Sequence, residues 1–298
     1  MSPATPVIIE VAINGNTPKA MNPNVPVSPP EIATEMKALL AAGASIIHSH
    51  IEDKTTGQVA ADRYMEGWAP VFKAFPDAVL CSTSTRAPTF EEKWLHMELL
   101  AEQGMSMGVI DPGSVNLADS GAHGLPGPRA MVHANSFAEI DYGMKLLARH
   151  QLGPSIAIFE PGFLRTTLAY ERAGTLPPGA LCKLYFGGDY NWFDGKRSPA
   201  CFGLPPTRTA LDAYLEMLHG SRLAWSVALI GGDLIKNEIA EHALRHGGHL
   251  RIGLEDYVDD TEKPTNMALL QSAIDLCARV GRPVANAAET RALLGLPR

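Results

Sequence analysis

Short runs of apolar and β-branched residues recur along the chain, and each run is followed by a longer segment with helical periodicity. This alternation is typical of parallel β–α units. Eight runs are predicted as strands, namely VIIEVAI (7–13), ASIIHSH (44–50), AVLCSTS (78–84), MSMGVI (105–110), SIAIFE (155–160), LCKLYFG (181–187), LAWSVALIG (223–231) and LRIGLED (250–256). AMVHA (130–134) is an alternative for the fourth strand.

Helix starts are indicated independently of the hydrophobic pattern. In three segments the S/T-x-x-E spacing lets side chains satisfy the free amides of a first helical turn. These segments are Ser28 with Glu31, Thr89 with Glu92, and Ser136 with Glu139. Pro29 also suits the first position of a helix, where no amide donor is needed. The β–α alternation is therefore supported by two separate patterns.

Eight parallel strands can close into a barrel or remain an open, doubly wound sheet, and periodicity does not distinguish the two. Polar residues favour the barrel, because His48 and His50 end the second strand and Glu255 ends the eighth. A closed barrel brings these strand ends together at its C-terminal face, where such enzymes carry their chemistry. We predict an α/β protein with one (β/α)8 TIM-barrel domain over residues 1–298, and a long loop over residues 188–207.

Composition narrows the classes of protein to consider. A net charge of −7 and a pI of about 5.8 argue against a nucleic-acid partner, because phosphate backbones attract clustered cations. Cys81, Cys182, Cys201 and Cys277 are scattered without a CxxC pair, so we expect reduced, mostly buried thiols. The sequence has neither a signal-peptide pattern nor an apolar stretch of about 18 residues. We expect a cytoplasmic protein without a membrane partner.

The motif IIHSHIED contains two histidines two positions apart, which on a strand point to the same face. His48 and His50 can therefore hold one cation jointly. Two neutral imidazoles plus a carboxylate leave a coordination position open on zinc, as in catalytic sites. The alternative is that one histidine is only hydrogen-bonded in the core, and an isolated HxH leaves both interpretations open.

The motif HLRIGLED provides the carboxylate. Strand alternation puts Arg251, Gly253 and Glu255 on one face, and closure of the eighth strand beside the first makes Glu255 the natural third ligand. Asp256 could act as a general base, with Arg251 and Ser82 relaying or orienting the proton. A salt-bridged helix cap is an equally open interpretation of Asp256.

Two other segments carry candidate site residues. Glu160 ends an apolar run directly before Pro161-Gly162, where a catalytic edge and an exposed turn look alike, and structural use is favoured. Ser114 and Asn116 in DPGSVNL could donate hydrogen bonds to a substrate carboxylate, although such clusters usually form turns.

At these residues the chain resembles the β-keto acid cleavage enzymes, the family of the 3-keto-5-aminohexanoate cleavage enzyme. The matching segments are AINGN, SPPEIATEMKALLAAGASIIHSH, the Ser-Thr pair of LCSTST, PGSVN, FEPG, GGHLRIGLED and GRPVANAAETRALLGL, which together span nearly the whole chain. The combination of HxH with RxGxED about two hundred residues later is far more specific than either motif alone.

The resemblance implies a zinc-dependent (β/α)8 barrel, usually a homotetramer, with acetyl-CoA as co-substrate. A β-keto acid would react with acetyl-CoA to give acetoacetate and a new acyl-CoA. Zinc would chelate the keto and carboxylate oxygens and stabilise the enolate as a Lewis acid. The enolate would attack the acetyl thioester, CoA would migrate, and a retro-Claisen step would release acetoacetate.

Site residues can be carried over by position. His48, His50 and Glu255 would bind Zn²⁺. Ser82, Arg251 and Asp256 would remove the substrate proton, and Glu160 would assist. Thr83, Ser114 and Asn116 are candidate substrate contacts apart from this transfer. Since a His-His-carboxylate set also suits iron or manganese, the choice of zinc comes from the resemblance.

The chain departs from its relatives where substrate choice would be made. Many relatives read HxHxR after the second strand, whereas this chain has Glu52 followed by Asp53, so a substrate-facing cation is missing there. Relatives often follow Ser-Thr with Gly-Gly, whereas this chain has Ser84, Thr85 and Arg86. One hypothesis is that Glu52 favours a cationic or neutral substrate tail. The alternative is a solvated loop carboxylate.

Two other functions compete with this interpretation. A metal-dependent barrel lyase, aldolase or hydrolase would act without CoA, although barrel hydrolases commonly take further histidines from middle strands, where this chain has Glu160. A non-catalytic binding protein is the second alternative, because a fold does not fix a function. The three candidate ligands together with Arg251 and Asp256 argue against it.

Overall fold

The computed structural model describes residues 5–51, 55–127, 131–198 and 202–297. Its strands are β1 (Ile9–Ala12), β2 (Ile46–Ser49), β3 (Leu80–Ser82), β4 (Met107–Ile110), β5 (Val115–Leu117), β6 (Met131–His133), β7 (Gly153–Ile158), β8 (Leu181–Gly187), β9 (Ala224–Ile230) and β10 (His249–Ile252). All of these except β5 and β6 form a closed parallel barrel, in which β10 pairs with β1. The predicted (β/α)8 barrel is confirmed.

The segment AMVHA does not supply a barrel strand. Its described residues form β6, which pairs antiparallel with β5 in a small sheet outside the barrel. MSMGVI provides β4, as the first of the two alternatives predicted. The connection from β4 to β7 is therefore long enough to carry both a hairpin and a helix.

Helices follow the barrel strands. They are α1 (Pro29–Ala41), α2 (Gly57–Ala74), α3 (Phe90–Glu102), α4 (Phe137–Arg149), α5 (Pro161–Arg172), α6 (Arg208–Met217), α7 (Glu238–Arg245), α8 (Asn266–Val280) and α9 (Ala287–Leu294). The three predicted helix starts are confirmed, since Ser28 forms a capping box with Glu31, and the Thr89 and Ser136 hydroxyls accept from the amides of Glu92 and Glu139.

Alternation along the strands separates two apolar faces. A small cluster fills the start of the barrel interior, and the C-terminal Ala285 and Leu294 pack against it. It contains Ile8, Ile46 and Leu181. Two residues further along the same strands, the inward positions are polar, with Glu10 on β1, His48 on β2 and Lys183 on β8. The interior therefore changes from apolar to charged toward the C-terminal end of the barrel.

The cysteines in the described residues are free, buried thiols, as predicted. Burial raises the pKa of Cys81 and Cys182 to about 12 and that of Cys277 to about 11. Cys201 lies outside the described residues. Across the described ranges, no helix has the length and apolar character needed to span a membrane.

Candidate metal centre and active site

His48 and His50 lie at the end of β2, and both are buried and line one cavity. Asn14, in the loop after β1, fixes the backbone at position 50. The amide of His50 donates to Asn14 Oδ1 at 2.8 Å, and Asn14 Nδ2 donates to the carbonyl of His50 at 3.1 Å. The AINGN segment, whose polar groups the sequence did not assign, therefore holds the second histidine in position.

Glu255 faces both imidazoles. Its carboxylate oxygens lie 3.3 Å from His48 Nε2 and 3.4 Å from His50 Nε2, and the two Nε2 atoms are 3.1 Å apart. A tetrahedral ion with bonds of about 2.0–2.1 Å keeps its ligand atoms roughly 3.3 Å from each other. The three side chains predicted as ligands therefore converge with the spacing that a zinc-sized ion requires.

The protonation states also suit a cation. Burial lowers the pKa of His48 to about 4, so its imidazole is neutral near pH 7 and can donate a lone pair. Burial alone would raise the pKa of Glu255, but the adjacent imidazoles of His50 and His48 and the charge of Arg251 hold it well below its usual value. The set thus includes the neutral nitrogen of His48 and the anionic oxygens of Glu255 as donors.

The turn that carries Glu255 differs from the predicted strand. β10 ends at Ile252, and Gly253 adopts φ +132° before the chain turns. This turn aims Glu255 into the cavity, and Trp192 Nε1 donates to the carbonyl of Glu255 at 2.8 Å. Gly15, with φ +53°, packs so closely that a Cβ there would lie 2.3 Å from Glu255 Cγ. The ligand is thus held from two sides.

Arg251 connects the metal centre to a buried charge network. It contacts Glu255 Oε1 at 3.0 Å and Asp256 Oδ2 at 2.8 Å, and it also pairs with Glu10. Burial raises the pKa of Asp256 to about 6, because the opposing effect of the Arg251 charge does not offset the loss of solvent and the charge of Glu255. Arg251 and Asp256 therefore lie together beside the ligand set. Their ion pair fits both the predicted catalytic role and the salt-bridged alternative, and Asp256 itself does not line the cavity.

Lys183 is a buried residue of this network that sequence reasoning missed. It is 1% exposed, and its Nζ lies 3.5 Å from Glu10 Oε1. The available signal was a charged residue at an inward position within each of two apolar strands, VIIEVAI and LCKLYFG. Such residues are rarely buried unless they are paired or functional.

The network and the ligands share a cavity of about 570 Å³ at the C-terminal end of the barrel. Its inner part is lined by His48, His50, Glu255, Arg251, Lys183 and Tyr185. Trp192 and Phe193 from the loop predicted at 188–207 form another part of the wall. This volume accommodates a small organic substrate.

The Ser-Thr sequence after β3 occurs twice, at 82–83 and at 84–85. Ser82 is fully buried and absent from the cavity wall, and it pairs in register with Ser49, whose hydroxyl accepts from Trp68 in α2. Ser82 therefore faces the helix layer, which argues against its predicted catalytic role. Thr83, Ser84 and Thr85 all line the cavity, because strand alternation ends with β3.

Three other predicted site residues are outside the cavity wall. Glu160 precedes α5, and its Oε1 accepts from the amide of Gly203 at 2.8 Å, whereas the preceding Phe159 lines the cavity. Ser114 Oγ donates to the carbonyl of Asn135 and accepts from its amide. Asn116 is exposed on β5. These contacts favour the structural alternative for Glu160 and Ser114.

Glu52, on which the hypothesis about the substrate tail depends, lies outside the described residues, as does Asp53. That hypothesis stays a prediction. Basic side chains do reach the cavity from elsewhere, because Arg86, Lys93 and His133 line its outer part. None of these three residues was predicted to line the site, although Arg86 is among the positions where the chain departs from its relatives.

Known proteins resemble this chain over most of its length. It is 31% identical over 302 residues to the 3-oxoadipate:acetyl-CoA acetyltransferase of Cupriavidus necator, covering 98% of this chain and 95% of that protein. It is 26% identical to the 3-keto-5-aminohexanoate cleavage enzyme of Fusobacterium nucleatum, covering 97% and 98%.

A solved structure supports the fold. The apo structure of ObcA superimposes with a TM-score of 0.67 at 17% identity, covering 93% of this chain, and the chain spans 66% of that protein's length. A sequence profile of the beta-keto acid cleavage enzymes matches residues 6–296. With this profile match over nearly the whole chain and with the relative in Cupriavidus necator, the chain belongs to the beta-keto acid cleavage enzyme family.

Proposed function

We propose that this chain is a zinc-dependent acyltransferase that cleaves a β-keto acid. In the overall reaction, R–CO–CH₂–COO⁻ and acetyl-CoA give acetoacetate and R–CO–CoA, so that the two acyl groups exchange partners and no oxidant is needed. Family membership supports the reaction type. The relative in Cupriavidus necator is named as an acetyltransferase that uses acetyl-CoA, and the relative in Fusobacterium nucleatum is named as a cleavage enzyme for 3-keto-5-aminohexanoate. The observation that carries the proposal is the convergence of two imidazole nitrogens and one carboxylate on a single point beside Arg251 and Asp256.

His48, His50 and Glu255 would hold the metal. A divalent ion bound there would act as a Lewis acid toward the oxygens of the keto acid and so make its α-proton more acidic. Zinc is proposed on the basis of family resemblance together with the His₂-carboxylate donor set. The neutral state of His48 supports this assignment.

Asp256 is the proposed proton acceptor, and because it does not line the cavity, it would receive the proton through one bridging water and not by direct contact with the substrate. Its pKa of about 6 is near the pH of the cell, as efficient general bases require. Arg251 lies between Asp256 and the cavity and contacts the carboxylates of Asp256 and Glu255, so it would orient the base relative to the substrate. The low polarity of the buried site would strengthen these interactions.

The catalytic hydroxyl that was predicted at Ser82 is assigned to Ser84 in this proposal. Ser84 lines the cavity, as does Thr83, which we retain as a substrate contact. Glu160 would act by anchoring the loop at Gly203 rather than by touching the substrate. Ser114 would likewise have a structural role through Asn135, and we do not retain Asn116 as a substrate contact because it is exposed outside the cavity.

A screen of β-keto acids with and without acetyl-CoA, followed by mass spectrometry, tests the function. We expect acetoacetate and a new acyl-CoA in equal amounts, and only when acetyl-CoA is present. Cleavage without acetyl-CoA would instead support a lyase or aldolase. The variant with both His48→Ala and His50→Ala should lose bound zinc and activity; unchanged behaviour and no metal in the wild type would support a binding protein.

We also propose a homotetramer formed by a single-domain subunit, in line with the family resemblance. Light scattering coupled to size-exclusion chromatography should give a mass of four chains. A monomer mass would contradict the proposal.

The cytoplasmic location stays a prediction, which fluorescence microscopy of a tagged chain would test.

A further inference from the structure

The cavity of the metal centre extends to an outer wall with three basic side chains, which we call the cationic wall. Arg86 follows β3, Lys93 belongs to the first turn of α3, and His133 ends β6. All three line the same cavity as the metal ligands. A substrate held at the metal would therefore share its cavity with these three groups.

Two of the basic groups already have acidic partners. His133 Nε2 lies 2.9 Å from Asp111 Oδ2, and Lys93 forms an ion pair with Glu139. Arg86, by contrast, has no ion-pair partner among the described residues. With His133 protonated, the wall has three positive charges against two negative ones.

Two groups of the cationic wall, Lys93 and His133, are connected through Asn135. Its Oδ1 accepts from Lys93 Nζ at 3.1 Å, and its Nδ2 lies 3.4 Å from His133 Nε2. Burial lowers the pKa of His133, but the hydrogen bond and charge of Asp111 offset this, so that the pKa is raised overall. The charges of Lys93 and Arg86 oppose this rise, because they disfavour a further positive charge on His133.

Arg86 is the group of the cationic wall that remains available to a ligand. Its side chain is exposed and also lines the cavity, so an anion that enters the cavity can reach the guanidinium without displacing an acidic partner from the described part of the chain. The guanidinium of Arg86 also matches the geometry of a carboxylate.

We propose that the cationic wall binds a carboxylate at the far end of the substrate, so that the substrate is a β-keto acid with a second, anionic group in its side chain. This inference rests on the proposed function, since it takes the reacting end to lie at the metal centre. It differs from the hypothesis based on Glu52, because the cation that was missing after β2 is supplied by the loop after β3. The phosphates of CoA are the other source of the same anionic chemistry.

The test compares 3-oxoadipate with 3-oxohexanoate, in which a methyl group replaces the distal carboxylate, using the zinc-loaded enzyme and acetyl-CoA. We expect kcat/KM to be at least about tenfold higher for the diacid, as for a single charged hydrogen-bonded contact. Arg86→Gln should reduce this ratio about tenfold, mainly through the KM for the diacid, and Arg86→Lys should restore part of it. Arg149→Gln, at the exposed end of α4, is the control and should keep the ratio.

Three results would overturn the inference. The first is equal turnover of the two acids, and the second is a preference for a β-keto acid with an ammonium tail. The third is that Arg86→Gln raises the KM for acetyl-CoA but not the KM for the diacid, which would assign the wall to the CoA phosphates. If no β-keto acid reacts, the proposed function fails separately. Calorimetry then still tests the wall, since 3-oxoadipate should bind Arg86→Gln about tenfold more weakly than wild type, and equal affinities would contradict the inference.

Discussion

Gly15 limits where Glu255 can lie, because its missing side chain leaves the space that Glu255 Cγ occupies. Gly15→Ala should lower zinc affinity roughly ten- to a hundred-fold, the range seen when groups that support metal ligands are changed. A zinc-chelator competition assay measures this. Gly174→Ala is the matched control, since Gly174 also has a positive φ (+68°) but a Cβ there would meet nothing within 4 Å. The left-handed backbone should cost each variant about 1–2 kcal/mol of stability, and the clash with Glu255 should add to that loss only in Gly15→Ala. Equal zinc affinity in the two variants would contradict the role of Gly15.

The repeated Ser-Thr pair gives a second prediction for single residues. Ser84→Ala should reduce kcat for β-keto acid cleavage by about tenfold or more, because it removes a hydroxyl from the cavity wall. Ser82→Ala is the internal control, as its hydroxyl faces the helix layer without a hydrogen-bond partner among the described residues. Steady-state kinetics of both variants measure the two kcat values. A larger loss of kcat in Ser82→Ala than in Ser84→Ala would show that Ser82 provides the catalytic hydroxyl.

At the scale of whole elements, the turn after β10 decides whether the barrel can close beside β1. A Cβ at Gly253 would lie 2.1 Å from the carbonyl oxygen of Ala12, which also accepts from the amide of Glu255 at 3.1 Å. Gly253→Ala should therefore separate the two strands and reduce the free energy of unfolding by about 3 kcal/mol. Urea unfolding followed by circular dichroism measures the change.

Gly104→Ala is the control for the Gly253 substitution. Gly104 has φ +106°, but a Cβ there would meet only the ring of Phe72 at 3.7 Å. Its variant should therefore show the cost of the backbone conformation without the clash against a neighbouring strand. If the two variants lost the same stability, strain at Gly253 and not strand separation would be the cause.

The elements themselves were predictable, whereas the residues just beyond the strands were not. Strand periodicity and helix capping are local, so the barrel strands and the starts at Ser28 and Thr89 could be found in the sequence. Alternation likewise predicted that His48 and His50 share a face. The alternation of side chains no longer applies beyond the last residue that pairs with a neighbouring strand, because the chain then leaves the sheet. For this reason Ser84 lines the cavity and Ser82 does not.

Contacts between distant segments form the part of the site that the sequence could not predict. The cationic wall combines residues after β3 and β6, and no local pattern relates Arg86 to His133. The same holds for Trp192, whose indole supports Glu255 from a loop far away in the chain. Glu255 itself was predictable only through an assumption about the whole molecule, namely that the eighth barrel strand closes beside the first.

The stability of the whole molecule should depend on pH through histidines that folding buries. His249 Nδ1 accepts from the amide of Ile8 at 3.0 Å, and His96 Nε2 lies 2.8 Å from the carbonyl of Thr83. Burial lowers the pKa of each to about 4. Below its ordinary pKa of about 6.5, each histidine takes up a proton in the unfolded chain but not in the folded one. Stability should therefore fall as the pH decreases from about 6.5 to about 4.

Between pH 7.5 and pH 5, one such histidine should reduce the free energy of unfolding by about 2 kcal/mol. His249→Asn replaces Nδ1 with an amide oxygen that can accept from Ile8 but does not titrate. This variant should therefore lose about 2 kcal/mol less than wild type over the same pH range, as measured by urea unfolding at both pH values. His219→Asn, at an exposed position after α6, should behave like wild type. Equal pH dependence of wild type and His249→Asn would mean that His249 is protonated in the folded barrel as readily as in the unfolded chain.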